Sequence, residues 1–174
     1  MVLLSAAVVV LAALLLVDLV LTFAIIRRLR EIETKLIDMN TPPESGLPVG
    51  EPMPEFAAAD GTVSRADLAG GPALIGFFSA GCRHCPAQAE ELADRAEELT
   101  AQGVRLVSFL SVGDGAVDEL SPTLRKAGPL VTEPEPSLVA AAFQESATPA
   151  FVLFGADGRL TARGHDLDEV LSRR

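Results

Sequence analysis

The chain has 174 residues and a formal net charge of −10, and 49% of its residues are hydrophobic, with neither Trp nor Tyr among them. That length holds one packed domain with an appendage. The acidic balance argues against nucleic acid as a partner, because phosphate contacts need clustered Lys and Arg.

In chain order, the first element is an apolar run from Val2 to Ile26, broken only by Ser5, Asp18 and Thr22. About 20 apolar residues cross the hydrocarbon layer as a helix, so a single-pass transmembrane helix over about 2–26 is expected, with the lipid bilayer as its partner. A cleaved signal peptide fits poorly, since no basic residue precedes the run and the run is too long. The charges from Asp18 to Asp38 cancel, so the whole −10 belongs to the part after Met39.

Next, Ile25, Leu29, Ile32, Leu36 and Met39 alternate in steps of four and three, and Glu31 faces Lys35 one turn on. The pattern predicts a helical stalk completing residues 1–39. Such a stalk either leans on its own domain or the headgroups, or pairs weakly with a second copy as a homodimer. Pro42, Pro43, Pro48, Pro52 and Pro54 then make residues 40–54 a semi-rigid linker.

Residues 55–174 are expected to form the folded domain. "EFAAADGTVSR" reads as a short hairpin turning at Asp60-Gly61. "PALIGFFS" is a continuous apolar run, as in a strand buried on both faces. "AQAEELADRAEELTAQG" is an amphipathic helix with Ala89, Leu92, Ala93, Ala96 and Leu99 on one face and Gly103 at its end. "VRLVSFLSV" is a second buried strand, "GAVDELSPTLRKAG" a helical segment interrupted near Pro122, and "PLVTEP" a short extended piece. A short helix "SLVAAAFQ", a hairpin turning at Asp157-Gly158 and a closing helix "DLDEVLSRR" follow. Alternation of this kind predicts an α/β fold, a sheet with helices on both faces.

The only two cysteines, Cys82 and Cys85, stand in "FFSAGCRHCP" between the first buried strand and the helix after it. A helix N-terminus offers free N–H groups and the positive end of the macrodipole, both of which stabilise a thiolate. Spacing of three on a first turn brings the two sulfurs close enough to close a ring. Arg83 and His84 add cationic and hydrogen-bonding character beside them. Three readings stand: a redox couple, a metal site, or an inert core pair. With two Cys, and with His84 and His165 as the only histidines, four metal ligands are hard to assemble, and no metal is expected. No other cofactor is expected either.

Three stretches, "VGEPMPEF", "ALIGFFSAGCRHCPAQAEEL" and "ATPAFVLFGADGRL", together resemble the membrane-anchored thioredoxin-like redoxins of the TlpA, ResA and MauD type. The resemblance covers roughly Val49 to Arg173. It implies a thioredoxin-like fold, a central mixed sheet flanked by helices. It also implies a thiol–disulfide oxidoreductase that exchanges disulfides with protein cysteines and a redox partner. Carried over, Cys82 is the attacking thiol, Cys85 the resolving thiol and the two form a redox-active disulfide. Thr148-Pro149 is the cis-proline loop that binds substrate, and Arg83 and His84 modulate the thiols. Two departures stand out: Gly81 holds the place where many thioredoxins have Trp, and Gly76 the place of their buried acid.

Other functions compete. A peroxiredoxin-like thiol peroxidase would use Cys82 against peroxide, with Ser79 three residues before it where peroxiredoxins tend to have Thr. A non-catalytic docking domain would use the cysteines as a structural bridge. On topology two arguments conflict. Arg27, Arg28 and Arg30 after the span favour a cytoplasmic domain by the positive-inside rule. The resemblance favours the extracytoplasmic side, where disulfides persist. The expectation here is extracytoplasmic.

Overall fold

The computed structural model describes residues 46–58, 60–114 and 118–173. Its elements are α1 (Arg65–Leu68), β1 (Ala73–Ser79), α2 (Cys85–Ala101), β2 (Arg105–Val112), α3 (Ser121–Ala127), β3 (Leu130–Pro134), α4 (Leu138–Ala142), β4 (Ala150–Phe154), β5 (Leu160–Gly164) and α5 (Leu167–Ser172). The sheet order is β3-β2-β1-β4-β5. β1 runs parallel to β2 and antiparallel to β4, β3 runs parallel to β2, and β5 antiparallel to β4. The sheet is therefore mixed, with β1 at its centre.

The unbroken apolar character of β1 follows from that position. Alternate residues of a strand face opposite sides. Leu74 and Phe78 enter one hydrophobic cluster and Ile75 and Phe77 the other. The first cluster is covered by α2, through Ala89, Leu92, Ala96 and Leu99, and by α3 and α5. The second gathers Phe77, Phe109, Phe143 and Phe154 with Leu68 of α1 and Val139 of α4, and Phe56 packs against it. Phe77 lies with its ring centroid 5.7 Å from that of Phe109 and 5.4 Å from that of Phe143. Aromatic side chains here take the place of the missing Trp and Tyr as large core filler. None needs a buried polar partner.

Most expected elements are present, with three differences. Pro122 does not interrupt a helix; it stands in the first turn of α3, where its missing N–H has no intrahelical partner to lose. Near Asp60-Gly61 the chain turns as expected, but pairing stops after one antiparallel bridge, Ala57 to Ser64. Ser64 leaves the ladder because its N–H and hydroxyl both bond Asp67 Oδ2, at 2.8 and 2.7 Å, and so start α1.

The third difference concerns the expected linker. Its described end, from Gly46 to Pro54, belongs to the packed body. Leu47 and Met53 are buried. Gly50 N–H donates to Leu160 O at 2.8 Å, Leu160 N–H to Glu51 O at 2.9 Å, and Met53 N–H to Gly158 O at 2.9 Å. The prolines lack donors, but the residues between them supply enough to fasten this segment beside β5. The expected span, the stalk and residues 40–45 lie outside the described residues. Among those described, no helix is long and apolar enough to cross a membrane.

Phe77→Ala should lower stability by roughly 3–5 kcal/mol, since the ring is fully buried between strands and helix. Urea unfolding followed by far-ultraviolet circular dichroism measures it. A loss below about 1 kcal/mol would show that the core repacks freely around this position.

Candidate functional site

β1 delivers the chain to the site. Past Ser79, Ala80 N–H extends the pairing to Ser111 O at 2.9 Å, and the chain then turns tightly, with Cys82 N–H donating to Ser79 O at 3.1 Å. Gly81 takes φ +86° in that turn, a value that disfavours any side chain, Trp included. The helix α2 begins at Cys85, with His84 as N-cap and Pro86 in the first turn. The sequence placed both cysteines on the first turn; the structure puts only Cys85 on it. Cys82 sits two residues before the cap.

The two sulfurs are bonded to one another, and their Cα atoms are 5.4 Å apart. Their surroundings differ. Cys85 is 0% exposed and packs within the cluster under α2, whereas Cys82 is half-buried. Arg83 and His84 between them are exposed. A reagent in solution can therefore reach the sulfur of Cys82 but not that of Cys85.

The Thr148–Pro149 peptide is cis and lies against the disulfide, with Thr148 O 3.3 Å from Cys82 Sγ. In the reduced state a Cys82 thiol can donate to this carbonyl. A carbonyl acceptor favours the neutral thiol, while the helix end and the Arg83 cation favour the thiolate. Cys82 thus stands between opposing influences.

At Gly76 the structure explains the missing acid. A Cβ there would stand 2.8 Å from the Phe78 ring and 3.4 Å from that of Phe151. Those two rings pack edge to face, 5.7 Å apart, and fill the space. The fully buried carboxylate among the described residues, Glu133, lies in β3, bonded to Ser137 Oγ and facing the Val139 N–H. Val131, two residues before it and so on the same side of the strand, belongs to the cluster on the other face of the sheet from Cys85.

Two groups near the loop escaped the sequence reading. His165, weighed there only as a metal ligand, places Nδ1 2.7 Å from Pro149 O. The antiparallel pairing of β4 with β5 brings the end of β5 beside the start of β4, and residue 165 follows β5 directly. Glu145 is the second. Burial pushes its carboxyl above the ordinary range, against the pull of Arg163 and His165. It lines a groove of about 330 Å³ that Ser79, Ser111, Pro136, Ala141 and Thr148 also line. Among the described residues no three His, Cys, Asp or Glu side chains are grouped to hold a metal ion.

Comparison with known proteins places this arrangement. The family model described as AhpC/TSA matches residues 49–163, and the chain belongs to that family. No curated protein matches the chain. Among solved structures, a secreted disulfide oxidoreductase of Mycobacterium tuberculosis, described as homologous to DsbE of E. coli, is similar at 24% identity and a TM-score of 0.55. The match covers 70% of this chain and 93% of that one. The thioredoxin domain of a thiol-disulfide oxidoreductase from Bacteroides vulgatus is similar at 18% identity and TM-score 0.57, over 72% of this chain and 94% of that one. An uncharacterised conserved protein from Geobacillus kaustophilus is similar at 28% identity and TM-score 0.52, over 67% and 68% of the two chains. The described residues therefore have a thioredoxin-like fold.

The Glu145 carboxyl gives a pH prediction. Its folded-state value is raised above the unfolded one, so the folded protein gains relative stability as pH falls through the raised value toward the ordinary carboxylate range. Glu145→Gln should accordingly be more stable than the natural chain at pH 7, with the gap closing as pH drops below the ordinary range. Urea midpoints measured across pH test this; a gap independent of pH would contradict it.

Proposed function

We propose that this AhpC/TSA-family chain is a thiol–disulfide oxidoreductase that exchanges disulfides with protein cysteines and is held at a membrane by its N-terminal segment. The observation that carries the reading is the pair itself. A half-buried Cys82 is bonded to a fully buried Cys85 where a central strand gives way to a helix, against the Thr148–Pro149 loop.

In the reducing direction, the Cys82 thiolate attacks one sulfur of a substrate disulfide. A mixed disulfide forms and the other substrate sulfur leaves as a thiolate. Cys85 then loses its proton and attacks the Cys82 sulfur. The Cys82–Cys85 bond closes, the substrate leaves with both sulfurs reduced, and two electrons have passed to it. The same steps reversed donate a disulfide. The exposed Arg83 and His84 favour the reduced, thiolate form and so favour the oxidising direction.

The peroxidase alternative is not favoured. Attack on a peroxide needs donors that polarise the O–O bond at the sulfur. The Cys82 sulfur faces a carbonyl oxygen, and the Ser79 hydroxyl turns to Ala80 O at 3.3 Å.

Residues 2–26 serve as the bilayer anchor in this reading, with the redox domain outside the cytoplasm, where disulfides persist. A reporter fused after Arg174 should be active only in its extracytoplasmic form; activity of a cytoplasmic reporter alone would reverse the topology.

The cysteine roles are tested separately. Cys85→Ser should accumulate mixed disulfides with partner proteins, because no second thiol remains to displace them, while Cys82→Ser should trap none. Non-reducing gels of affinity-purified variants read this directly. Equal trapping by both variants would remove the assignment, and trapping by neither would favour a structural bridge.

A further inference from the structure

We infer that His165 is a positioning residue for disulfide exchange: it holds the Thr148–Pro149 loop at the height where a polypeptide substrate meets Cys82. The inference rests on the thiol–disulfide reading above and adds a residue to it.

The loop has two consecutive carbonyls. That of Thr148 faces Cys82 Sγ at 3.3 Å, and that of Pro149 accepts from His165 at 2.7 Å. A carbonyl only accepts, so the ring nitrogen facing it carries the proton, whatever the charge of the imidazole. Pro149 stands just before β4, and the last registered pair of β4 with β5 is Phe151 with Gly164. Pro149 O is thus beyond the end of the ladder, and the imidazole does there what a further strand residue would do. This carbonyl lies in the peptide plane after Pro149, and the proline ring locks φ between that plane and the one before, so holding it restricts how far the Thr148 carbonyl can swing from the sulfur.

His165 is otherwise exposed, so its ring fills no core space and its removal opens no cavity. Its contribution therefore lies in orientation. An extended substrate flanking the attacked sulfur has to run along the loop, whereas a small disulfide reaches Cys82 without touching it. Loss of the hydrogen bond should slow the first and spare the second.

The experiment uses the full chain carrying Cys85→Ser, so that only attack by Cys82 is read. One probe is a short extended peptide whose single cysteine is activated as a thiopyridyl disulfide; the other is dithiodipyridine. In both, Cys82 forms the new disulfide and thiopyridone leaves, giving an absorbance signal. His165→Leu should cut the second-order rate with the peptide at least about fivefold, the size of one net hydrogen bond, and leave the rate with dithiodipyridine unchanged. His165→Asn, whose amide can donate from nearly the same place, should restore the peptide rate. An unchanged peptide rate in His165→Leu, an equal drop with both probes, or an Asn variant as slow as the Leu variant each overturns the role. A chain with natural His165 that reacts with neither probe removes the thiol–disulfide reading instead, and the inference falls with it.

Discussion

Everything at the site hangs on the burial of β1 between two strands that run in opposite senses. Its parallel partner β2 and antiparallel partner β4 are held in register over five or more residues each. The antiparallel pairing sets the start of β4 at the height where β1 ends. Two segments 66 residues apart in sequence, the cysteine turn and the Thr148–Pro149 loop, therefore meet. A slip of one residue would turn every side chain of β1 to the other face, so the hydrophobic clusters on both faces lock the register. The geometry of the site is in this sense a product of core packing.

Within that frame the two sulfurs are made different by depth. Cys85 joins the core under α2, and burial among hydrocarbon favours its neutral thiol. Cys82 lies outside the helix, bonded to the sulfur of its first residue, with the exposed Arg83 and His84 after it and a carbonyl facing it.

Much of this was legible in the sequence, for physical reasons. Strands buried on both faces leave an unbroken apolar run, and β1 and β2 did. The spacing Ala89, Leu92, Ala96, Leu99 named the buried face of α2. The cysteines at a strand-to-helix junction marked the site. Other parts were hidden because they depend on distant pairing. The linker end looked like spacer because its prolines dominate the composition, while the N–H groups of Gly50 and Met53 and the carbonyl of Glu51 find partners only once β5 and the turn before it are in place. His165 had no local signal, since its partner Pro149 becomes a neighbour through the β4–β5 register. Pro122 was misread as a break because a proline in a helix interior and one in its first turn differ by the start of the helix, the least visible boundary in sequence.

The aromatic fill at Phe78 and Phe151 bears on selectivity. With Gly76 bare and those rings against it, position 76 offers no carboxylate to receive the proton of the Cys85 thiol. In the proposed exchange, the proton that Cys85 loses during resolution would leave by the open side, where a bound partner would lie. A group of that partner or a water held against it would then receive it. Two partners that dock equally well would turn over at different speeds according to the base each one carries. In the proposed exchange, a site of this build would discriminate by rate of release rather than by tightness of grip.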